Sequence, residues 1–279
     1  MNARTLTLPG RARARRAANG SVVEAAARWG FVARGVIYLL VGALALHIAF
    51  GGTGRQADRG GALTQLSEQP FGSVLLWALG GGLTGMALWR LSEALFGAAG
   101  ADGHKPHKRL LSAGRCVFYG FVAYSVLAFA AGESGSGGGS SDRQSQDVTA
   151  RALELPGGRW IVGLAGAGIV VAGAWVAVRA ALRTYRKHLK QGGMSRRTRR
   201  LIDVTGVAGG VARGVLFAAV GVFVVLAALT YEPDRAKGFD DTLRSFAGTP
   251  AGPWLLALVA AGLVLFGVFS FAMARRRRV

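Results

Sequence analysis

Six apolar stretches alternate with polar segments along the 279 residues of this chain, near 29–50, 74–97, 111–132, 159–182, 204–230 and 252–274. About 20 apolar residues cross about 30 Å of hydrocarbon as a helix, so the pattern predicts six spanning helices. The stretches come in similar pairs. Val32-Ala33-Arg34-Gly35 opens the first, Val211-Ala212-Arg213-Gly214 opens the fifth, and Gly114-Arg115-Cys116-Val117 is a weaker copy at the third. Each pair runs through a polar segment to a Pro-x-Gly, namely Pro70-Phe71-Gly72, Pro156-Gly157-Gly158 and Pro250-Ala251-Gly252. The unit is therefore a helical hairpin present three times, at 29–97, 111–182 and 204–274. The expected fold is an all-α integral membrane protein. Residues 1–28 form a basic tail too polar to be expected to fold alone.

The polar segments before each Pro-x-Gly have a pattern of their own. Leu63 and Leu66 are three apart, as are Leu243 and Phe246, which suits a short amphipathic helix on the outer surface. The middle copy, Asp147 to Gly158, follows a Gly/Ser-rich run at 132–141 that reads as a flexible linker.

Composition changes the picture in one respect. The chain is 51% apolar yet carries a net charge of +20, a combination natural to a membrane protein with its charges segregated into loops. The tail, the 98–110 and 183–203 loops and the C-terminus hold 21 of the 34 Lys and Arg, whereas the other three loops hold 10 of the 14 acids. This bias predicts cytoplasmic termini, a location in a bacterial inner membrane, and parallel repeats related by an axis along the membrane normal. Nucleic acid is not an expected partner, because apolar runs separate the basic clusters. Cys116 is the sole cysteine, so no intrachain disulfide forms. It replaces the glycine of the other copies and predicts looser helix contact there.

Several motifs carry no chemistry. Gly206, Gly210, Gly214 and Ala218, like Gly81 and Gly85, make small-residue stripes for helix packing and leave self-association open. Gly80-x-Gly82-x-x-Gly85 lacks the preceding strand of a dinucleotide site. Gly132-Glu133-Ser134-Gly135 looks like a rhomboid-protease motif, but the only later histidine, His188, is expected across the membrane. His104 and His107 have no further ligands clustered with them, and His47 lies near the outer end of the first span. No catalytic residue, metal site or cofactor is expected, and the protein is read as a non-enzyme.

The charges inside the spans are the candidate site. Arg34, Arg115 and Arg213 occupy equivalent places, expected in the second or third turn from the cytoplasmic end. Arg90, Glu93 and Arg179 stand at the cytoplasmic ends of the second and fourth spans. Three guanidinium groups against one carboxylate at similar depth call for an anion. The expectation is that Arg34, Arg115 and Arg213 hold anionic lipid headgroups or a small phosphate-bearing anion at the cytoplasmic face, Glu93 orienting one of them. The structural alternative is that each arginine snorkels or bonds backbone carbonyls separately. Thr84 and Ser125 are the nearest polar groups to the midplane.

Gly30-Phe31-Val32-Ala33-Arg34-Gly35-Val36-Ile37-Tyr38, the segment from Ala62-Leu63 to Pro70-Phe71-Gly72, and Leu88-Trp89 together carry a resemblance. The chain resembles a bacterial membrane family, common in actinobacteria, catalogued as domain of unknown function 1206, whose unit is a pair of spanning helices usually present three times. The resemblance covers residues 29 to 274 and implies location and architecture but no activity. The leading expectation is a membrane protein acting through lipid or protein partners. The alternative is a small-solute or anion transporter with its path along a pseudo-threefold axis.

Overall fold

In a computed structural model, residues 21–51, 56–97, 106–132, 141–189, 194–247 and 251–276 are described. They form nine α-helices: α1 Ser21–Ala49, α2 Arg59–Ser67, α3 Gly72–Phe96, α4 Pro106–Ala130, α5 Ser141–Leu153, α6 Gly158–Ala181, α7 Arg196–Thr230, α8 Phe239–Ala247 and α9 Gly252–Arg276. Six of them, α1, α3, α4, α6, α7 and α9, are long and apolar enough to cross a membrane. The protein is an all-α membrane protein of three hairpins, each with a short helix between its two long ones.

Three helices start earlier than the apolar pattern suggests, since a helix does not stop where the hydrocarbon does. α1 begins at Ser21, inside the segment expected to be an unfolded tail. There Ala25, Ala26 and Ala27 favour helix, Glu24 pairs with Arg28 at 2.5 Å, and Ala27 is fully buried. Pro106 opens α4, a position where its missing N–H costs nothing. α7 takes in the whole Arg196-Arg197-Thr198-Arg199-Arg200 run behind the Ser195 cap, whose hydroxyl accepts from the Thr198 N–H at 3.2 Å.

The long helices follow one another in a ring. The second long helix of each hairpin packs on the first of the next: α3 on α4, α6 on α7, and α9 on α1. Within the first and third hairpins the two long helices also pack, α1 on α3 and α7 on α9. The middle hairpin differs, because α4 and α6 are not packed together and the ring is open at that seam.

The cause is legible in the repeat register. Four residues before the repeated arginine stand Gly30, Leu111 and Gly209. A Cβ on Gly30 would lie 2.6 Å from the Met86 Cβ, and one on Gly209 would lie 2.4 Å from the Phe266 backbone. Each marks a close approach of the two long helices of its hairpin. Leu111 denies the middle hairpin that approach and is itself exposed. Ten residues past the hairpin glycine, Gly262 meets the Ala212 Cβ at 2.2 Å, while its counterpart Gly168 has nothing within 4 Å. The looseness expected at Cys116 is therefore elsewhere: in this register Cys116 belongs to the α3–α4 side, which is packed.

The three short helices form a layer over one end of the ring. Leu63, Leu66 and Leu243 are buried against the long helices and Phe246 is half-buried. Aspartates link the layer in a cycle. Asp58 accepts the Ser141 N–H at 2.6 Å, Asp142 accepts the Asp241 N–H at 3.1 Å, and Asp240 accepts the Ala57 N–H at 2.7 Å. Each hairpin thus satisfies a backbone donor of the next, and all three carboxylates are buried. α5 starts six residues ahead of Asp147. Residues 133–140 of the expected linker, with Ser134, lie outside the described residues, as do His104 and the tail to residue 20. Phe71 and Gly157 of the Pro-x-Gly turns adopt left-handed conformations, with φ of 62° and 74°.

Candidate functional site

A cavity of about 260 Å³ lies inside the ring, from its middle to the short-helix layer. Arg34 and Tyr38 of α1, Tyr119 of α4 and Arg213 of α7 line its inner part. Asp58, Arg59 and Gln144 line the part beneath the short helices. On the far side the bundle is closed by aromatic contacts, Phe31 with Trp89 at 5.7 Å and Tyr185 with Phe269 at 4.9 Å between ring centroids.

Arg34 is thirteen residues past the start of α1, and Arg213 is the central residue of the 35-residue α7. Both helices begin several residues before their apolar stretches, so the two arginines stand near the middle of their helices and line the cavity.

The three equivalent arginines meet three different surroundings. In the repeat register the place to compare is eighteen residues past the hairpin glycine, on the preceding hairpin's second helix. For Arg34 that place holds Ser270, whose hydroxyl accepts from Nε at 3.2 Å and donates to the Phe266 carbonyl at 2.9 Å. For Arg213 it holds Val176, on a helix that lines no part of the cavity; the Arg213 guanidinium instead faces Tyr38, Phe217 and Phe266, and its buried Nε has no hydrogen-bond partner. For Arg115 it holds Arg90, a buried cation that pairs with Glu93 at 2.6 Å and lies 4.1 Å from the centre of the Trp89 ring. Like charge in that place leaves Arg115 exposed and out of the cavity. Glu93 bonds Arg90 and accepts from the Ser112 hydroxyl at 3.3 Å, and of the repeated arginines its charge acts on Arg115, with no hydrogen bond between the two.

Arg34 and Arg213 are held by aromatic rings. The Arg34 guanidinium is 4.9 Å from the Phe31 centroid and 5.1 Å from that of Phe266. Arg213 is 5.6, 5.2 and 5.0 Å from Tyr38, Phe217 and Phe266. The Tyr119 phenol stands beside Arg34, and the Tyr38 phenol beside Arg213. No carboxylate pairs with either arginine among the described residues. Two cations and two phenol donors therefore face a space walled by apolar side chains, an arrangement that can hold an anion.

The tyrosines, Phe266 and Ser270 were missed in the sequence. An available signal was the aromatic residue four positions after each arginine, Tyr38, Tyr119 and Phe217, which places both on one helix face. Thr84 and Ser125 return their hydroxyls to their own helices, to Gly80 at 2.9 Å and Phe121 at 3.0 Å. Gly210 and Gly214 of the small-residue stripe pack inside the protein against Ala180 and Ala177, whereas Gly81 touches nothing and Gly82 takes the packed face. His47 is exposed.

Carboxylate oxygens of Asp142, Asp240 and Asp241 come within 4.8 Å of one another. Asp142 and Asp240 are engaged by the backbone donors above, and Asp240 also accepts from Arg244 at 2.8 Å, so the group is a structural clasp. Burial, opposed by the Asp241 N–H, raises Asp142 to about 6, with Asp241, Asp240 and Asp58 adding to the rise.

Residues 29–97, 112–183 and 208–277 each match the sequence profile of one family, described as Domain of Unknown Function (DUF1206). The chain is also 33% identical over 243 residues to the uncharacterized protein YxxB of Bacillus subtilis (strain 168), covering 87% of each chain. No solved structure matches.

Proposed function

The chain belongs to the Domain of Unknown Function (DUF1206) family, and we propose that it acts in the bacterial inner membrane as a non-enzymatic receptor for an anion bound between Arg34 and Arg213. The observation that carries this reading is two guanidinium groups sharing one mid-bundle cavity with no carboxylate paired to either among the described residues; Asp58, at the short-helix end, is engaged by backbone donors. Removing a cation from water costs on the order of several kcal/mol, and an unpaired one keeps that cost. Phenylalanine faces recover part of it. A bound carboxylate or phosphate recovers more, because guanidinium offers such oxygens a two-bond fork.

Arg115, exposed on α4 near Arg179, contacts anionic headgroups at the inner face. In this reading the termini are cytoplasmic, which the basic loops on that side support.

Binding of inorganic phosphate to purified protein, read by calorimetry, tests the site. Arg34→Gln together with Arg213→Gln should weaken it at least about tenfold, the scale of one charge-assisted bond, while Arg115→Gln leaves it unchanged. Equal binding by the double variant overturns the reading. Sidedness is read from single cysteines at Ser67 and Ser195 in a Cys116→Ser background: an impermeant reagent should label the first on intact cells and spare the second.

A carrier is the second reading. Its support is that the cavity reaches the short-helix layer and is closed on the opposite side by Phe31, Trp89 and Phe269. Anion flux in proteoliposomes distinguishes carrier from receptor.

A further inference from the structure

The ring is open where it meets lipid. α4 and α6 both cross the membrane by length and composition, yet they are the one pair of ring neighbours without a packed face. Phe118 and Phe121 of α4 line the cavity and are also 50% and 49% exposed. These two side chains thus border both the cavity and the outer surface of α4. α6 contributes nothing to the cavity lining, and its Gly168, in the register where Gly82 and Gly262 are tightly packed, faces empty space.

We infer that the occupant of the cavity is an amphiphile, an anionic head on a hydrocarbon chain, and that it enters from the bilayer between α4 and α6. The inference rests on the anion site proposed above and adds the ligand class and its route. Three observations carry it. Arg34, Arg213 and the two phenols hold the inner part and Asp58, Arg59 and Gln144 the short-helix end, while Ile37, Val41, Leu83 and Leu263 wall the space with apolar surface. An inorganic ion would leave those walls without a partner, whereas a chain covers them. The volume, about 260 Å³, is below the roughly 300 Å³ at which pockets for drug-sized molecules begin. It takes a head and the first part of a chain, and the remainder must leave through an opening into an apolar medium. The α4–α6 seam is that opening.

The test uses the full chain in lipid nanodiscs with a long-chain fatty acid carrying a mid-chain diazirine, alongside inorganic phosphate as the free anion. Irradiation should label the α4 peptide containing Phe118 and Phe121. Arg34→Gln with Arg213→Gln should cut labelling at least about tenfold. Gly168→Phe fills open space and so keeps the fold. It should cut labelling to a similar extent by occupying the seam, while phosphate binding in detergent stays unchanged. If phosphate binds at the arginines but α4 is not labelled, or if Gly168→Phe has no effect, the amphiphile and its route are wrong and the anion site stands. If neither probe binds, both readings fall.

Discussion

Arg34 and Arg213 flank one aromatic ring, that of Phe266, at 5.1 and 5.0 Å from its centroid. The two residues are far apart in sequence and belong to the first and third hairpins. Phe266 lies on α9, which packs on both α1 and α7. The helix that joins the two hairpins therefore also supplies the ring face both cations share. Buried cation–π contacts contribute about 2 kcal/mol each. Phe266→Leu should lower stability by about 2–4 kcal/mol. A melting curve in detergent reads this, and added fatty acid should raise the variant's melting temperature more than the wild type's, because an anion takes over the lost role.

Ser270 gives Arg34 a hydrogen-bond acceptor, 3.2 Å from Nε. Ser270→Ala takes that acceptor away and should destabilise the protein by about 1–3 kcal/mol. Thermal unfolding of the variant beside the wild type checks it; an unchanged melting temperature would show that the bond carries no stability.

The open seam predicts opposite outcomes for one substitution at two equivalent glycines. Gly168→Ala meets nothing and should gain about 0.5–1 kcal/mol from helix propensity. Gly262→Ala places its Cβ 2.2 Å from that of Ala212 and should cost about 1–3 kcal/mol as overpacking. Denaturation midpoints of the two proteins, measured side by side, decide it.

The short-helix layer should be pH-sensitive through Asp142. Its folded value near 6 exceeds the usual 3.8, so the folded state holds the proton more tightly than the unfolded state. Stability should fall as pH rises between these two values and stay at the lower level above them. Asp142→Asn retains an acceptor for the Asp241 N–H without the charge. It should be more stable than wild type above pH 6 and should flatten that slope, as melting temperatures across the range will show.

Much of the architecture was legible because it is written in the most robust signals. Long apolar runs gave six helices, and Pro-x-Gly with Val-Ala-Arg-Gly gave the threefold unit. Helix ends were less legible, since arginines after the Ser195 cap extend a helix as well as they fill a loop. The arginines were visible as a set, but their separate fates were not. Those depend on residues of other helices, Ser270, Phe266 and Arg90, whose relevance appears only once the hairpins are docked. Glu93 was a natural partner by depth, and Arg90, three residues before it on the same helix, was nearer. The open seam was hidden in Leu111, which reads as an ordinary apolar residue until it is aligned with Gly30 and Gly209.

The unlike neighbours of the three arginines bear on why this ring is one polypeptide. Three identical hairpins around an axis would bring three guanidinium groups to the centre together, because symmetry grants each copy the same surroundings. Mutual repulsion at such a point grows steeply as water is excluded. A single chain is free of that constraint: Arg90 turns the middle copy's cation aside while Ser270 fastens another inward. Covalent triplication thus permits a lopsided centre, two charges facing in and one facing out, which no homotrimer of the same unit could adopt without breaking its own symmetry.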